Sequence, residues 1–352
     1  MERKELISIV DKLEEEKSLS LEEYATLIKG YSPLLAQYAA KKAMQAKEKI
    51  YGNKVFIRGL IEISNICKND CYYCGIRRSN KNCERYRLTK EEIWNCCKQG
   101  YELGFRTFVL QGGEDGYFTD EVLCEIVSYI RKKYSDCAIT LSMGERSRES
   151  YEKLFSAGVT RYLLRHETAE KDHYNQLHPE DMSYENRMQC LQELKRLGFQ
   201  TGCGFMVGSP GQSVENLAKD LKFIETFKPQ MCGIGPFIPH KDTMYKDVKA
   251  GSVDMTCYLL SLIRLIYPNI LLPATTALGT LDEKGREKGI LAGANVVMPN
   301  LSPIFARKKY ELYNNKVNIG AESVEGLEEL KSRMKVISHE VICDRGDIII
   351  EK

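Results

Sequence analysis

Hydrophobic positions in the first fifty residues recur at helical spacing. Leu6, Ile9, Val10 and Leu13 repeat every three or four positions. Ser20 followed by Glu22 and Glu23 marks a helix start near Leu21. The Ala- and Lys-rich run 36–49 has strong helix propensity. The rhythm changes at Val55, where short apolar runs begin to alternate with amphipathic stretches. The segment holding Val55-Phe56-Ile57 and Leu60-Ile61-Glu62-Ile63 reads as one strand, and further strands are expected at 107–110, 138–141, 161–164, 201–207, 231–235, 270–274 and 295–298. Helices are expected between them, at 89–103 (capped by Thr89 with Glu91 and Glu92), 119–134, 148–155, 184–197, 214–226, 255–266 and 285–291. Gly104, Gly158, Gly198 and Gly293 fall just after helices, where a left-handed cap favours glycine.

Eight strands separated by helices imply parallel βαβ units. That pattern predicts an α/β fold, a complete (β/α)8 TIM barrel with N-terminal helices and a C-terminal cap. An open doubly wound sheet is the alternative, but residues 64–74 after the first strand hold no glycine, so the dinucleotide-binding fingerprint is missing there. The expected division is a helical extension at 1–50, the barrel at 51–303 and a cap at 304–352 with one helix at 323–335 and an apolar tail at 341–350. About fifty residues rarely support a core alone, so the cap should pack on the barrel.

With 43% hydrophobic and 28% charged residues in a chain of 352, disorder and collagen-like classes are excluded. The 51 Lys and Arg nearly balance 49 Asp and Glu, which argues against nucleic-acid or polybasic membrane partners. The richest apolar stretch, 258–267, is broken by Arg264, so no membrane span is expected. Residues 1–5 lead into a charged helical pattern rather than an apolar leader. Together with 13 cysteines, this points to a reducing compartment, expected to be cytoplasmic, with the thiols serving as core residues, metal ligands or catalytic groups.

Three of those cysteines stand close together after the first strand, as Cys67-Lys-Asn-Asp-Cys71-Tyr-Tyr-Cys74. One loop can present them to a single metal centre. A structural zinc site wants four ligands, and no second C-x2-C or histidine pair completes the set. A 4Fe–4S cluster normally takes four cysteines, so three would leave one iron open, as a catalytic site requires. Three core thiols in a Cys-rich chain are the competing reading.

The chemistry of a (β/α)8 barrel sits at the C-terminal ends of its strands. There stand Gln111-Gly112-Gly113-Glu114, whose glycines allow close backbone approach, and Arg165-His166-Glu167-Thr168. The latter charges are costly to desolvate without partners. Arg165 offers a fork for a carboxylate and Glu167 an acceptor for an ammonium or ribose hydroxyl, while His166 reads as structural. A surface salt-bridge set is the alternative. Thr140, Thr275 and Thr276 are either core-edge residues or hydroxyl donors to an anion.

The cysteine spacing, with the aromatic Tyr73 before the third cysteine, resembles the radical S-adenosylmethionine (radical SAM) superfamily. The strings Ser-Asn-x-Cys-x3-Cys-x-Tyr-Cys-Gly (64–75), Arg-Tyr-Leu-Leu-Arg-His-Glu-Thr-Ala (161–169), Gly-Ile-Gly-Pro-Phe-Ile-Pro-His (233–240), Pro-Ala-Thr-Thr-Ala (273–277) and Gly-Ala-Asn-Val-Val-Met-Pro-Asn (293–300) narrow the likeness. Over about 50 to 315 they resemble the HydE family of FeFe-hydrogenase maturases. The resemblance implies that Cys67, Cys71 and Cys74 hold one 4Fe–4S cluster, whose open iron binds S-adenosylmethionine and whose reduction yields a 5′-deoxyadenosyl radical. It implies cofactor contacts from Tyr73, Gln111, Gly112, Gly113, Glu114, Arg165, Glu167, Arg187, Met231 and Ile238, with Met231, Arg165 and Glu167 in the catalytic group. Thr140, Thr275, Thr276, Tyr310 and Tyr313 would line the substrate or anion pocket.

The implied substrate is a small iron–cysteine complex, a cysteine-bound Fe(CO)2(CN) precursor whose sulfur the radical attacks on the way to the di-iron subcluster. Implied partners are other hydrogenase maturases and an electron donor such as ferredoxin or flavodoxin. Two departures stand out. Asn318 occupies the place of a late-cluster cysteine found in some members, so a single cluster is expected, and Gln111-Gly112-Gly113 replaces a common Gln-Ser-Gly. Three other readings remain open: a methylornithine-synthase-like mutase, a biotin-synthase-like sulfur-inserting enzyme and a non-catalytic iron–sulfur scaffold.

Overall fold

The computed structural model describes residues 3–350 and opens with three helices, α1 (Arg3–Glu16), α2 (Leu21–Lys29) and α3 (Pro33–Tyr51). Ser20 and Glu23 form the reciprocal capping box that starts α2, and Ser32 caps α3 with Pro33 at its first position. The alternation begins with β1 (Lys54–Ile57), β2 (Gly59–Ser64), α4 (Lys90–Glu102), β3 (Thr107–Gly112), α5 (Asp120–Lys133), β4 (Ala138–Ser142), α6 (Arg148–Ala157) and β5 (Arg161–Leu163). It continues with α7 (Lys171–Leu177), α8 (Tyr184–Arg196), β6 (Gln200–Cys203), β7 (Met206–Val207), α9 (Val214–Phe227), β8 (Met231–Cys232), β9 (Gly235–Pro236) and α10 (Val253–Ile266). The last elements are α11 (Thr276–Leu281), α12 (Gly285–Leu291), β10 (Val296–Val297), α13 (Ile304–Lys309), α14 (Leu327–Val336) and β11 (Glu340–Ile342). Thr89 caps α4 in a capping box with Glu92, as its position predicts. All four post-helical glycines adopt positive φ.

The pairing is parallel throughout the sheets. Strands β2-β3-β4-β5-β6-β8 form a six-stranded sheet, β10-β1-β11 a three-stranded one, and β7-β9 a pair. Isolated parallel bridges Met231↔Leu271 and Pro273↔Val296 link β8 to β10 through 271–273, and Leu60↔Asn300 joins β2 to the stretch after β10. Helices α3 and α10, and α2 and α9, pack side by side, so the N-terminal helices lie on the outer layer. No described helix is long and apolar enough to cross a membrane, and all 13 cysteines are free thiols.

Several strands differ from the sequence-based expectation. The first expected strand divides at Arg58: β1 pairs with β10 and β11, while β2 pairs with β3. Expected strand 270–274 is reduced to bridges. The runs at 201–207 and 231–235 are each interrupted where Gly204 meets Gly233; a Cβ on Gly204 would lie 2.0 Å from the Gly233 carbonyl oxygen. The apolar tail contributes a strand, β11, beside β1. The short helices α7, α11 and α13 have no counterpart in the expected set.

Strand parity decides what faces inward. Ile61, Ile63, Leu110, Ile139 and Leu141 belong to the main hydrophobic core. The opposite parity, Leu60, Glu62, Gln111, Ser142 and Leu163, opens on a cavity of about 340 Å³.

Candidate functional site

The chain leaves β2 into a loop with little regular structure, held by buried polar groups instead. Arg85 donates to the carbonyls of Asn65 (2.6 Å), Ile76 (2.8 Å), Arg77 (2.6 Å) and Asn80 (3.1 Å). Asn65 Nδ2 donates to the carbonyls of Glu84 (2.9 Å) and Lys309 (2.8 Å). This scaffold presents Cys67, Cys71 and Cys74 to the same cavity that the strand ends line. Glu114 N–H points at Cys67 Sγ, 3.4 Å away, the kind of donor that stabilises a thiolate. Gly113 has no room for a side chain, since a Cβ would fall 2.3 Å from the Ile66 carbonyl oxygen. Its close approach is thus to the cysteine loop itself.

Burial pushes all three thiols upward, Cys74 to about 12 and Cys71 well above its usual value. Thiolates there need a cationic centre to offset desolvation. Among the described residues no three His, Cys, Asp or Glu side chains converge tightly enough for a single metal ion. A four-iron cluster takes one thiolate per iron, so its sulfurs stand apart, and three thiols around one open cavity fit it.

On the facing wall Arg165 Nη2 lies 3.2 Å from Glu167 Oε2 without hydrogen-bond alignment. Arg165 Nε and Nη2 and Glu167 Oε2 are buried and have no hydrogen-bond partner among the described residues. Arg187 supports them from behind: its Nε donates to Glu145 (2.6 Å) and its Nη1 to the Arg165 carbonyl (2.6 Å). Tyr73 lies edge-on to His178 and its hydroxyl donates to Nε2 at 3.3 Å, while Nδ1–H of that histidine donates to the Tyr174 carbonyl. Gln111, Gly112, Gly113, Glu114 and Ile238 complete this part of the lining. Glu114 pairs with Lys68 (3.0 Å) and accepts from the Glu145 N–H (3.0 Å).

Deeper in, Thr275, Thr276, Tyr310 and Tyr313 line the cavity, and Gln111 Nε2 donates to Tyr310 at 3.3 Å. Two charged residues join them that the motifs did not single out. Glu62, fully buried, pairs with Lys316 and accepts from Asn300 Nδ2 (2.9 Å). Lys316 also donates to the Tyr310 carbonyl (3.0 Å), so the segment after α13 forms one wall. A lone glutamate at inward parity in an apolar strand is the signal that marks Glu62. Ser142, Met206 and Met298 also line the cavity.

Two expected site residues lie elsewhere. Met231 does not line the cavity. It starts β8 and packs with Tyr51, Phe56, Leu271 and Val296, its sulfur 3.0 Å from Arg58 Nη1. The start of a strand lies at the opposite end of the sheet from its C-terminal mouth, which is why this position misses the site. Thr140 sits on the same strand face as Ser142 but two residues deeper, buried, with no hydroxyl partner among the described residues and outside the cavity lining.

The profile of the Radical SAM superfamily matches residues 61–224. The chain is 47% identical over 277 residues to the FeFe hydrogenase maturase subunit HydE of Thermotoga maritima, which covers 79% of each chain. It is 30% identical over 281 residues to 3-methylornithine synthase of Methanosarcina acetivorans, covering 79% of this chain and 76% of that one. Among solved structures, methylornithine synthase (PylB) is similar with a TM-score of 0.81 at 25% identity, covering 95% of this chain and 97% of that one. The maturase HydG has the same fold, with a TM-score of 0.81 at 21% identity over 96% of this chain and 76% of its own.

Proposed function

We propose a function for a chain that belongs to the radical SAM superfamily and, within it, to the HydE family of FeFe-hydrogenase maturases. It reductively cleaves S-adenosylmethionine and turns the resulting 5′-deoxyadenosyl radical on the sulfur of a cysteine-bound Fe(CO)2(CN) complex, a step toward the di-iron subcluster. The observation that carries this reading is the orphaned pair on the cavity wall. Arg165 Nη2 and Glu167 Oε2 face each other at 3.2 Å, and these atoms and Arg165 Nε have no hydrogen-bond partner among the described residues, in a cavity that three cysteines also line. The two charges offset each other, but their unmet hydrogen-bonding capacity suits a ligand that carries both a carboxylate and an ammonium.

When bound, a single 4Fe–4S cluster on Cys67, Cys71 and Cys74 supplies the electron that breaks the sulfonium bond. The rest is the work of the chain. Arg165 would take the carboxylate of S-adenosylmethionine, and Glu167 its ammonium or a ribose hydroxyl. Gln111, Gly112, Gly113, Glu114, Tyr73 and Ile238 would shape the cofactor's bed. Arg187 holds Arg165 in place through its carbonyl. Thr275, Thr276, Tyr310 and Tyr313 would receive the substrate's anionic end. Enclosure keeps water and quenchers from a reactive radical.

The parallel bridges around the sheets support reading the architecture as a closed (β/α)8 barrel at 51–303 with the helical extension at 1–50 and the cap at 304–352. Other hydrogenase maturases and a ferredoxin- or flavodoxin-type electron donor are the partners we assign, in a cytoplasmic, reducing setting. The test is anaerobic reconstitution followed by dithionite and S-adenosylmethionine. The expected products are methionine and 5′-deoxyadenosine, with an adenosyl adduct on sulfur when a synthetic iron–cysteine complex is added. Absence of 5′-deoxyadenosine would overturn the enzyme reading, and methylornithine formed from lysine would replace the maturase reading. Cys71→Ser protein that keeps full iron and activity would remove the cluster assignment.

A further inference from the structure

His166 stands between the two orphaned cavity residues in sequence, yet its imidazole turns away from the cavity. It is fully buried, against Phe205 and Phe223. Its Nδ1 accepts from the Gly204 N–H at 3.3 Å, which puts the ring proton on Nε2. Nε2 faces Asp220 Oδ1 at 3.2 Å, and the same oxygen accepts from the Ala169 N–H at 2.6 Å. Asp220, on α9, is fully buried and its Oδ2 has no hydrogen-bond partner among the described residues.

Between these ties lies Glu167, whose backbone is left-handed at φ 65°. Its N–H donates to the Gly204 carbonyl at 3.0 Å, and its carbonyl accepts from Met206 N–H at 3.4 Å. A non-glycine residue in that region is strained, so the surroundings must hold it there. The ties at Gly204 and Ala169 bracket it on both sides. A buried aspartate with one empty oxygen is a poor stabiliser of a core in its own right.

We propose that His166 and Asp220 are positioning residues for S-adenosylmethionine: they clamp Glu167 in its left-handed conformation so that its carboxylate faces the ligand. This rests on the function proposed above, and the test separates the two. KM for S-adenosylmethionine and kcat are measured by 5′-deoxyadenosine formation in His166→Phe, Glu167→Gln and the double variant. Phenylalanine suits the aromatic neighbours and removes both hydrogen bonds.

His166→Phe should raise KM about tenfold, the worth of one charge-assisted hydrogen bond, with iron content unchanged and kcat at saturation nearly so. The double variant should be no worse than Glu167→Gln alone, because both changes remove one interaction. His166→Gln, which keeps a donor and an acceptor, should recover most of the loss. In cluster-free protein, amide exchange at 165–170 should speed up in His166→Phe. An unchanged KM, or effects that multiply in the double variant, would overturn the clamp. Should His166→Phe not fold, Asp220→Asn decides by the same KM criterion, with His166→Gln as the control expected to stay near wild type. If the wild-type protein forms no 5′-deoxyadenosine, the proposed function fails, and the exchange measurement alone decides whether the clamp exists.

Discussion

Gly113→Ala places a single methyl group where the cavity wall meets the cysteine loop. The added carbon would lie 2.3 Å from the Ile66 carbonyl oxygen and 2.7 Å from Cys67 Cβ, whereas ordinary contact begins near 3.4 Å. The overlap is against backbone, which cannot rotate aside, and Arg85 ties that loop at four carbonyls. The loop must therefore shift by about 1 Å, at a cost of about 1–3 kcal/mol for overpacking. The shift falls on Cys67 and on its hydrogen bond from Glu114.

Each 1.4 kcal/mol is about a tenfold change in rate or affinity, so cofactor cleavage should fall by roughly 5- to 150-fold. Iron content and charge-transfer absorbance after anaerobic reconstitution, together with 5′-deoxyadenosine formation, provide the assay. Gly112→Ala is the internal control. Its Cβ would sit 3.2 Å from the Ser64 carbonyl and 3.4 Å from the flexible Met143 sulfur, so its iron content should stay close to wild type. Equal behaviour of the two variants would refute the idea that Gly113 is small for the sake of the cysteine loop.

Burial, with Arg187 nearby, holds the His178 imidazole down at about 3 from its usual 6.5. The unfolded chain therefore binds the extra proton, and stability falls as pH drops below 6.5 toward 3, by up to about 1.4 kcal/mol per pH unit. Urea unfolding of His178→Gln at pH 7 and at pH 5.5 should show a flatter dependence; an equal slope would contradict the buried neutral histidine. Glu62→Gln leaves Lys316 buried without its counter-charge and should cost about 3–5 kcal/mol. Faster amide exchange at 310–317 should accompany it, and wild-type stability would show that this pair does not tether the wall. Thr89→Ala removes the hydrogen-bonded cap of α4 and should lower stability by about 1 kcal/mol, read by the shift in urea midpoint.

How much of this was legible beforehand differs by scale. The alternating βα rhythm, the caps at Ser20 and Thr89 and the glycines after helices are local, and local patterns determine them directly. The cysteine loop was equally plain, because three cysteines within eight residues need no tertiary partner to be noticed. Residues gathered from distant segments were harder. Glu62 and Lys316 are 254 positions apart, and nothing in either neighbourhood announces the other. Met231 is expected among the cofactor contacts but packs at the start of β8 outside the cavity lining, since how far up the sheet a residue stands depends on register with neighbours.

The sequence by itself determined the fold class, the parallel alternation and the cysteine loop, all set by periodicity and spacing within short windows. Only the tertiary structure decided which parity of each strand opens on the cavity and how far up each residue stands. It also decided that the tail after α13 closes one wall with Lys316 and adds β11 beside β1. The physical reason is that pairing register and buried charge partners are long-range choices. A strand can slide against its neighbour without changing its own pattern, and a buried glutamate reveals its cation only when the chain has folded back to supply it.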